Sequence, residues 1–261
     1  MQKLKRLLSI ISFAISIMPM AFILYVEVIS HQYLEASALF ILCAIEILFF
    51  LLGAGLLHSA SDSYERKVRI VKVSAWILFF IYLAFLVFLL FFYSQYGRAH
   101  SDWLNYHQFL SQYSYDRMNL IPFQTISAYL SDIFNPTTDL TNLSPEVSDI
   151  VKGQIRQAAL LNICGNIAAF APMGAFLPTL FKKQRKFWVF FVTILCTLVL
   201  VETAQLLLGA GFCDIDDIIL NALGAVLVFM IMRLGFIKNI LRKLGLHSTE
   251  VCSSPDLEPE R

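Results

Sequence analysis

Residues 187–208 read FWVFFVTILCTLVLVETAQLLL, and Lys-Lys-Gln-Arg-Lys stands immediately before them at 182–186. Crossing about 30 Å of hydrocarbon takes roughly 20 helical residues, so this run has the length of one membrane span. Its only charge is Glu202, two turns from the end opposite the basic cluster. Five other runs qualify by the same criterion, at about 7–29, 38–60, 70–93, 158–181 and 215–236. The expected fold is therefore an all-α integral membrane protein of about six transmembrane helices, with multi-pass insertion in the cell membrane.

Charge gives the orientation. Arg66, Lys67, Arg69 and Lys72 fall in the connection 61–72, and Lys3, Lys5, Arg6, Arg242 and Lys243 flank the ends. Together with 182–186 these segments belong inside by the positive-inside rule, whereas the connections 30–37 and 209–214 contain no lysine or arginine. Both termini are expected in the cytoplasm. Three spans over 1–93, an extracytoplasmic loop over 94–157, a three-helix core over 158–236 and a disordered cytoplasmic tail over 237–261 complete the expected organisation. The start, Lys3-Leu4-Lys5-Arg6 followed by a long apolar run, has the look of a secretion signal. The run is too long and lacks a small-residue cleavage site, so it reads as a retained span.

Composition agrees. Hydrophobic residues make up 58% of the 261, against about 45–50% in a soluble domain. Twenty basic and nineteen acidic residues leave a net charge of +1, which offers nothing for nucleic acid. Five cysteines, three of them (Cys43, Cys164 and Cys196) inside apolar runs, read as small core residues, with Cys213 exposed outside. No nucleotide loop or zinc pattern is present, and no cofactor or metal is expected.

The long loop has structure of its own. Met118 to Phe134 (MNLIPFQTISAYLSDIF) suits a short amphipathic segment in the headgroup region, ended by Asn135-Pro136. Ser144-Pro145-Glu146 reads as a helix start that continues toward the fourth span.

Alternation through the membrane then gathers polar groups near the outer face. Asn162 and Asn166 share a face of the fourth span, and Pro172 and Gly174 lie deeper. Glu202 and Gln205 are three apart near the outer end of the fifth. Asp214, Asp217, Asn221 and Gly224 form one stripe, i, i+3, i+7, i+10, descending along the sixth. Arg117 and Asn119, before the Pro122-Phe123 turn, are candidate counter-charge and donor. An intramembrane acid costs roughly 2.5–3.5 kcal/mol at a helix centre, so each one is a candidate site. Each also has a structural alternative: Asp214 as N-cap, the asparagines as interhelical bonds, and Glu202 as a salt bridge to Arg117. Glu46, midway along the second span without a basic neighbour in sequence, stands apart from this cluster.

Arg-Met-Asn-Leu-Ile-Pro-Phe at 117–123, Asn-Ile-Ala-Ala-Phe-Ala-Pro-Met-Gly at 166–174, Glu-Thr-Ala-Gln at 202–205 and Asp-Ile-Asp-Asp-Ile-Ile-Leu-Asn-Ala-Leu-Gly at 214–224, in that order and spacing, resemble the VanZ-like membrane family. The resemblance covers Arg117 to about Phe229. It implies ligand-binding positions at Arg117, Asn119, Asn166, Glu202, Gln205, Asp214, Asp217 and Asn221, and the family's motif positions fall also on Pro122, Phe123, Pro172, Gly174 and Gly224. The family's namesake lowers susceptibility to teicoplanin, so the resemblance implies a cell-envelope protein whose outer-leaflet polar site binds an envelope lipid, a lipid-linked precursor or the lipoglycopeptide itself. A membrane-embedded enzyme is the alternative, with Glu202 and Asp217 as its general acid and base and a divalent cation as an optional oxygen-bound partner. No Ser or Cys nucleophile motif with a partnered His supports covalent catalysis. An ion-coupled transporter ranks last, for want of internal repeats and of mid-bilayer acids other than Glu46.

Overall fold

The computed structural model describes residues 1–30, 34–91, 118–136, 144–208 and 213–246. Among the described residues eight α-helices follow in order: α1 (Gln2–Leu24), α2 (Ala36–Ser59), α3 (Tyr64–Phe91), α4 (Gln124–Phe134), α5 (Pro145–Leu180), α6 (Phe187–Leu207), α7 (Ile215–Met232) and α8 (Gly235–Lys243). Two short strands, β1 (Met118–Asn119) and β2 (Cys213–Asp214), pair in parallel with Asn119 opposite Asp214. Among the described residues six helices, α1, α2, α3, α5, α6 and α7, are long and apolar enough to cross a membrane. The protein is an all-α multi-pass membrane protein.

The helix boundaries have local causes. The first span winds its last turn as a π-turn over Tyr25–Ile29, which carries it to the expected limit. The fourth begins at Pro145, where proline costs nothing because the first-turn N–H has no partner anyway. Ser144 occupies the N-cap position but makes no side-chain cap bond. At 36 residues α5 is about 54 Å long. That exceeds the hydrocarbon thickness, so part of it stands beyond, and α4 packs against its side. The sixth span stops at Met232, and the chain turns through Arg233 and Leu234 into α8. Residues 237–243, expected in the tail, are thus helical: Phe236, Ile237, Ile240, Leu241 and Leu244 recur at helical spacing among lysines and arginines. The rest of that expected tail, 247–261, lies outside the described residues.

Two close helix pairs organise the bundle. Ser9 Oγ on α1 donates to Gly53 O on α2 at 2.8 Å, and Phe13 rests on Gly53 and Phe50. The second pair, α5 and α7, approaches backbone to backbone at two glycines. A Cβ on Gly224 would lie 1.8 Å from Ile167 O, and one on Gly174 would lie 2.2 Å from Ala225 O. Small residues permit this approach in a bilayer, where close packing replaces the hydrophobic effect between helices. Around that contact Phe170, Met173, Phe190, Ile194, Leu198, Ala225 and Phe229 form the core, with Phe190 and Phe229 stacked at 4.4 Å between centroids. From α3, Tyr82 donates its hydroxyl to Ala169 O at 2.7 Å.

The cysteines depart from expectation. Cys164 and Cys196 are exposed on the bundle surface, while Cys43 and Cys213 are half-buried. In a bilayer an apolar side chain satisfies its environment equally well facing lipid or neighbour, so residence in an apolar run does not select the core.

Tertiary contacts collect the helix ends into two faces. On the basic face, Gln2 Nε2 donates to Asp62, Gly245 approaches Val68, and Arg185 reaches Leu246 O at 3.4 Å. On the opposite face lie β1, β2, α4 and the ends of α3, α6 and α7 that carry the acids.

Candidate functional site

Three acids in four residues, Asp214, Asp216 and Asp217, open α7. Asp214 is the N-cap: its Oδ1 accepts from Asp216 N at 2.9 Å, satisfying one of the donors a helix start leaves free. The same carboxylate also holds the outer segment. Asn119 Nδ2 donates to Asp214 Oδ1 at 3.2 Å and to Thr125 Oγ1 at 2.8 Å, and Thr125 Oγ1 donates to Asp214 Oδ2 at 2.5 Å. Cap and site contact are one group.

Asp216 is fully buried and points away from the stripe, toward α4. Its Oδ1 accepts from Phe123 N at 2.6 Å and its Oδ2 from Ile126 N at 3.0 Å. Phe123 is the N-cap residue of α4 and has no side-chain oxygen to offer. It also holds the left-handed conformation, φ 66°, which a non-glycine residue rarely adopts. Asp216 therefore caps α4 from another helix and fixes the Pro122-Phe123 turn through it. Charge-assisted bonds of this kind are the stronger class.

Asn166 on α5 donates to Asp217 Oδ1, which joins the fourth and sixth spans at the depth of the stripe. One turn further, Asn221 is buried; its Nδ2 donates to Asp217 O at 2.8 Å, and its Oδ1 has no hydrogen-bond partner among the described residues. From α6 comes Glu202, buried, with Oε2 accepting from Asp214 N at 3.3 Å. Tyr129, one turn after Thr125 on α4, completes the edge. Burial, then Asp217, Asp214 and Asp132, push its phenol above the ordinary tyrosine range. The Cys213 thiol is raised likewise, by burial and then by Glu202 and Asp214.

The structure brings together Asn119, Asn166, Glu202, Asp214, Asp217 and Asn221. Gln205 is buried beside them, but its amide is used as a tether, donating to Leu90 O of α3 at 3.0 Å. Asn162 bonds its own helix at Ala158 O, 3.0 Å away, and takes no part. Arg117 lies outside the described residues. Glu46 is buried in α2 and belongs to a different part of the bundle. Sequence reasoning missed Asp216, Thr125 and Tyr129. Thr125 and Tyr129 share a face of α4 by their four-residue spacing, which was a usable signal. Asp216 sits off the 3.6-residue stripe that selected its neighbours, and its partners are 93 and 90 residues away.

This is an acceptor-rich cluster of carboxylate and amide oxygens, flanked by the segment 120–134, whose Leu120, Ile121, Phe123, Leu130 and Phe134 are exposed. Among the described residues no three His, Cys, Asp or Glu side chains cluster in a way that would hold a metal ion. Chemically the arrangement suits binding groups that donate hydrogen bonds.

Residues 79–238, more than half of the chain, match the family described as VanZ/LLP1. The chain belongs to the VanZ/LLP1 family. The matched region runs from Phe79 in α3 into α8 and contains every residue of the site, leaving α1 and α2 outside it. It is wider than the motif-bearing stretch 117–229 and takes in the second half of α3, which bonds α5 through Tyr82. No curated protein and no solved structure matches the chain.

Proposed function

We propose that this VanZ-like protein lowers susceptibility to teicoplanin-type glycopeptides by binding, at the outer leaflet, the donor-rich headgroup of a lipid-linked envelope precursor or of the lipid-tailed antibiotic. The observation that carries the reading is the convergence of Asn166, Glu202, Asp214, Asp217 and Asn221 at one end of the bundle, beside the exposed apolar edge of α4. Carboxylate oxygens accept hydrogen bonds and attract cations, so the favoured groups are hydroxyls, amides and ammonium. Asn221 Oδ1 is a buried acceptor without a donor among the described residues. A lipid tail has somewhere to lie, along Phe123, Leu130 and Phe134.

The test is a susceptibility panel comparing the intact protein with its deletion and with Glu202→Ala, Asp217→Ala and Arg117→Ala, each matched for membrane level. Loss of protection on deletion and in the Glu202 and Asp217 variants is the expected result. A deletion with unchanged susceptibility would remove the resistance reading. Protective acid variants would remove the site.

A further inference from the structure

At the opposite end of the molecule from the acids, the turn between α7 and α8 closes over a cavity of about 130 Å³. On the same measure a single water needs roughly 10–15 Å³, so there is room for a multi-atom group. Three basic residues line it, Arg185, Arg233 and Lys238, and so do Phe229, Met232 and Leu241. One wall is cationic and the other apolar.

The two arginines are held in place by backbone carbonyls. Arg185 donates Nε to Pro178 O at 3.2 Å and Nη2 to Leu246 O at 3.4 Å. Arg233 donates Nη2 to Arg185 O at 3.1 Å, and its guanidinium carbon lies 5.0 Å from the centre of the Phe229 ring. A guanidinium carries five N–H donors, so these bonds orient each fork and leave donors over. Among the described residues no carboxylate lies within ion-pairing distance of Arg185, Arg233 or Lys238. Three positive charges around one cavity repel one another, and an anion placed among them removes that cost.

The setting selects the kind of anion. The cavity sits where a membrane span gives way to α8, whose Phe236 and Ile240 are exposed while Lys238, Arg242 and Lys243 interleave with them. A helix of that pattern lies in the plane of a membrane surface. Anionic lipids collect at basic pockets between spans on the cytoplasmic side.

We propose that this cavity is a binding site for the phosphate headgroup of an anionic phospholipid of the basic-face leaflet, with Arg185, Arg233 and Lys238 as its ligands and Phe229, Met232 and Leu241 packing the first carbons of the lipid. This site is independent of the acidic face and does not rest on its proposed function. It ties α7 to α8 and to the α5–α6 turn that carries Arg185.

The test is native mass spectrometry of delipidated full-length protein titrated with phosphatidylglycerol, phosphatidylcholine or inorganic phosphate. One phosphatidylglycerol is expected to bind saturably, phosphatidylcholine far more weakly, and phosphate to compete only poorly. Lys238→Gln, whose ammonium makes no bond to the described protein, is expected to weaken phosphatidylglycerol about fivefold, and adding Arg233→Gln to weaken it further. Lys183→Gln, an equal charge loss on the same face, is expected to leave it unchanged. Unfolding midpoints of all variants identify any that are merely misfolded, and Lys238→Gln then decides alone. Equal effects of Lys183 and Lys238, or equal affinity for the two lipids, would overturn the site. Tight competition by inorganic phosphate would overturn the lipid as its ligand.

Discussion

At the residue scale, Asp216 shows how one carboxylate sets the geometry of a site it does not line. It replaces a capping oxygen that Phe123 lacks, so α4 starts where it does because of a residue in the sixth span. Asp216→Ala deletes two charge-assisted hydrogen bonds and leaves two amides to find water, at about 1.5–3 kcal/mol for each bond. The expected outcome is release of α4: amide hydrogen exchange over 123–134 accelerates markedly while α5 and α7 stay protected. Asp216→Asn keeps one acceptor oxygen and is expected to fall between the two. Unaltered exchange in Asp216→Ala would show that α4 is held by its packing on α5 alone.

Among elements, the α5–α7 pair carries both the core and the site, and its closeness is set by Gly174 and Gly224. Asn166 and Asp217 meet because the helices touch at Ile167 and Gly224, one residue away along α5. Gly224→Ala would push a methyl group into a backbone carbonyl, which no rotamer change relieves. Overpacking of this kind costs about 1–3 kcal/mol or more. The variant is expected to lower the unfolding midpoint in detergent and to reduce protection in the susceptibility assay together. Gly165→Ala, where a Cβ would meet open space, is the matched control and is expected to behave as wild type. A Gly224→Ala protein as stable as the control would argue that the two helices are not locked at this distance.

For the whole molecule, the distribution of charge makes a sided object: basic turns at one end, acids and the α4 edge at the other. In a protein stripped of its native cysteines, single cysteines placed at Glu65 and Lys183 are expected to react with a membrane-impermeant maleimide only after the cells are opened. One placed at Gln124 is expected to react in intact cells. All three substituted side chains are exposed. Labelling of Lys183→Cys in intact cells would invert the molecule and put the acidic site in the cytoplasm. The same sidedness separates the two proposed binding sites, since an acceptor-rich end would select donor-bearing headgroups and a cationic end phosphates.

The sequence alone determined the six spans, the basic face and the identity of the residues at 119, 166, 202, 214, 217 and 221, because hydropathy, charge and helical spacing are local properties that survive without the fold. It also carried the α5 start at Pro145, a matter of backbone chemistry at one residue. Only the tertiary structure decided what each polar group does. Gln205 shares a helical face with Glu202, yet its amide goes to Leu90 O of α3, an acceptor that only the packing of another helix brings within reach. Asp216 lies off the stripe by period and is the most deeply buried acid of the three, because its partners are backbone amides brought in by a turn more than 90 residues away. The polar cluster near one face, legible as a list in the sequence, is in the folded chain a division between residues that build the site and residues that face its interior.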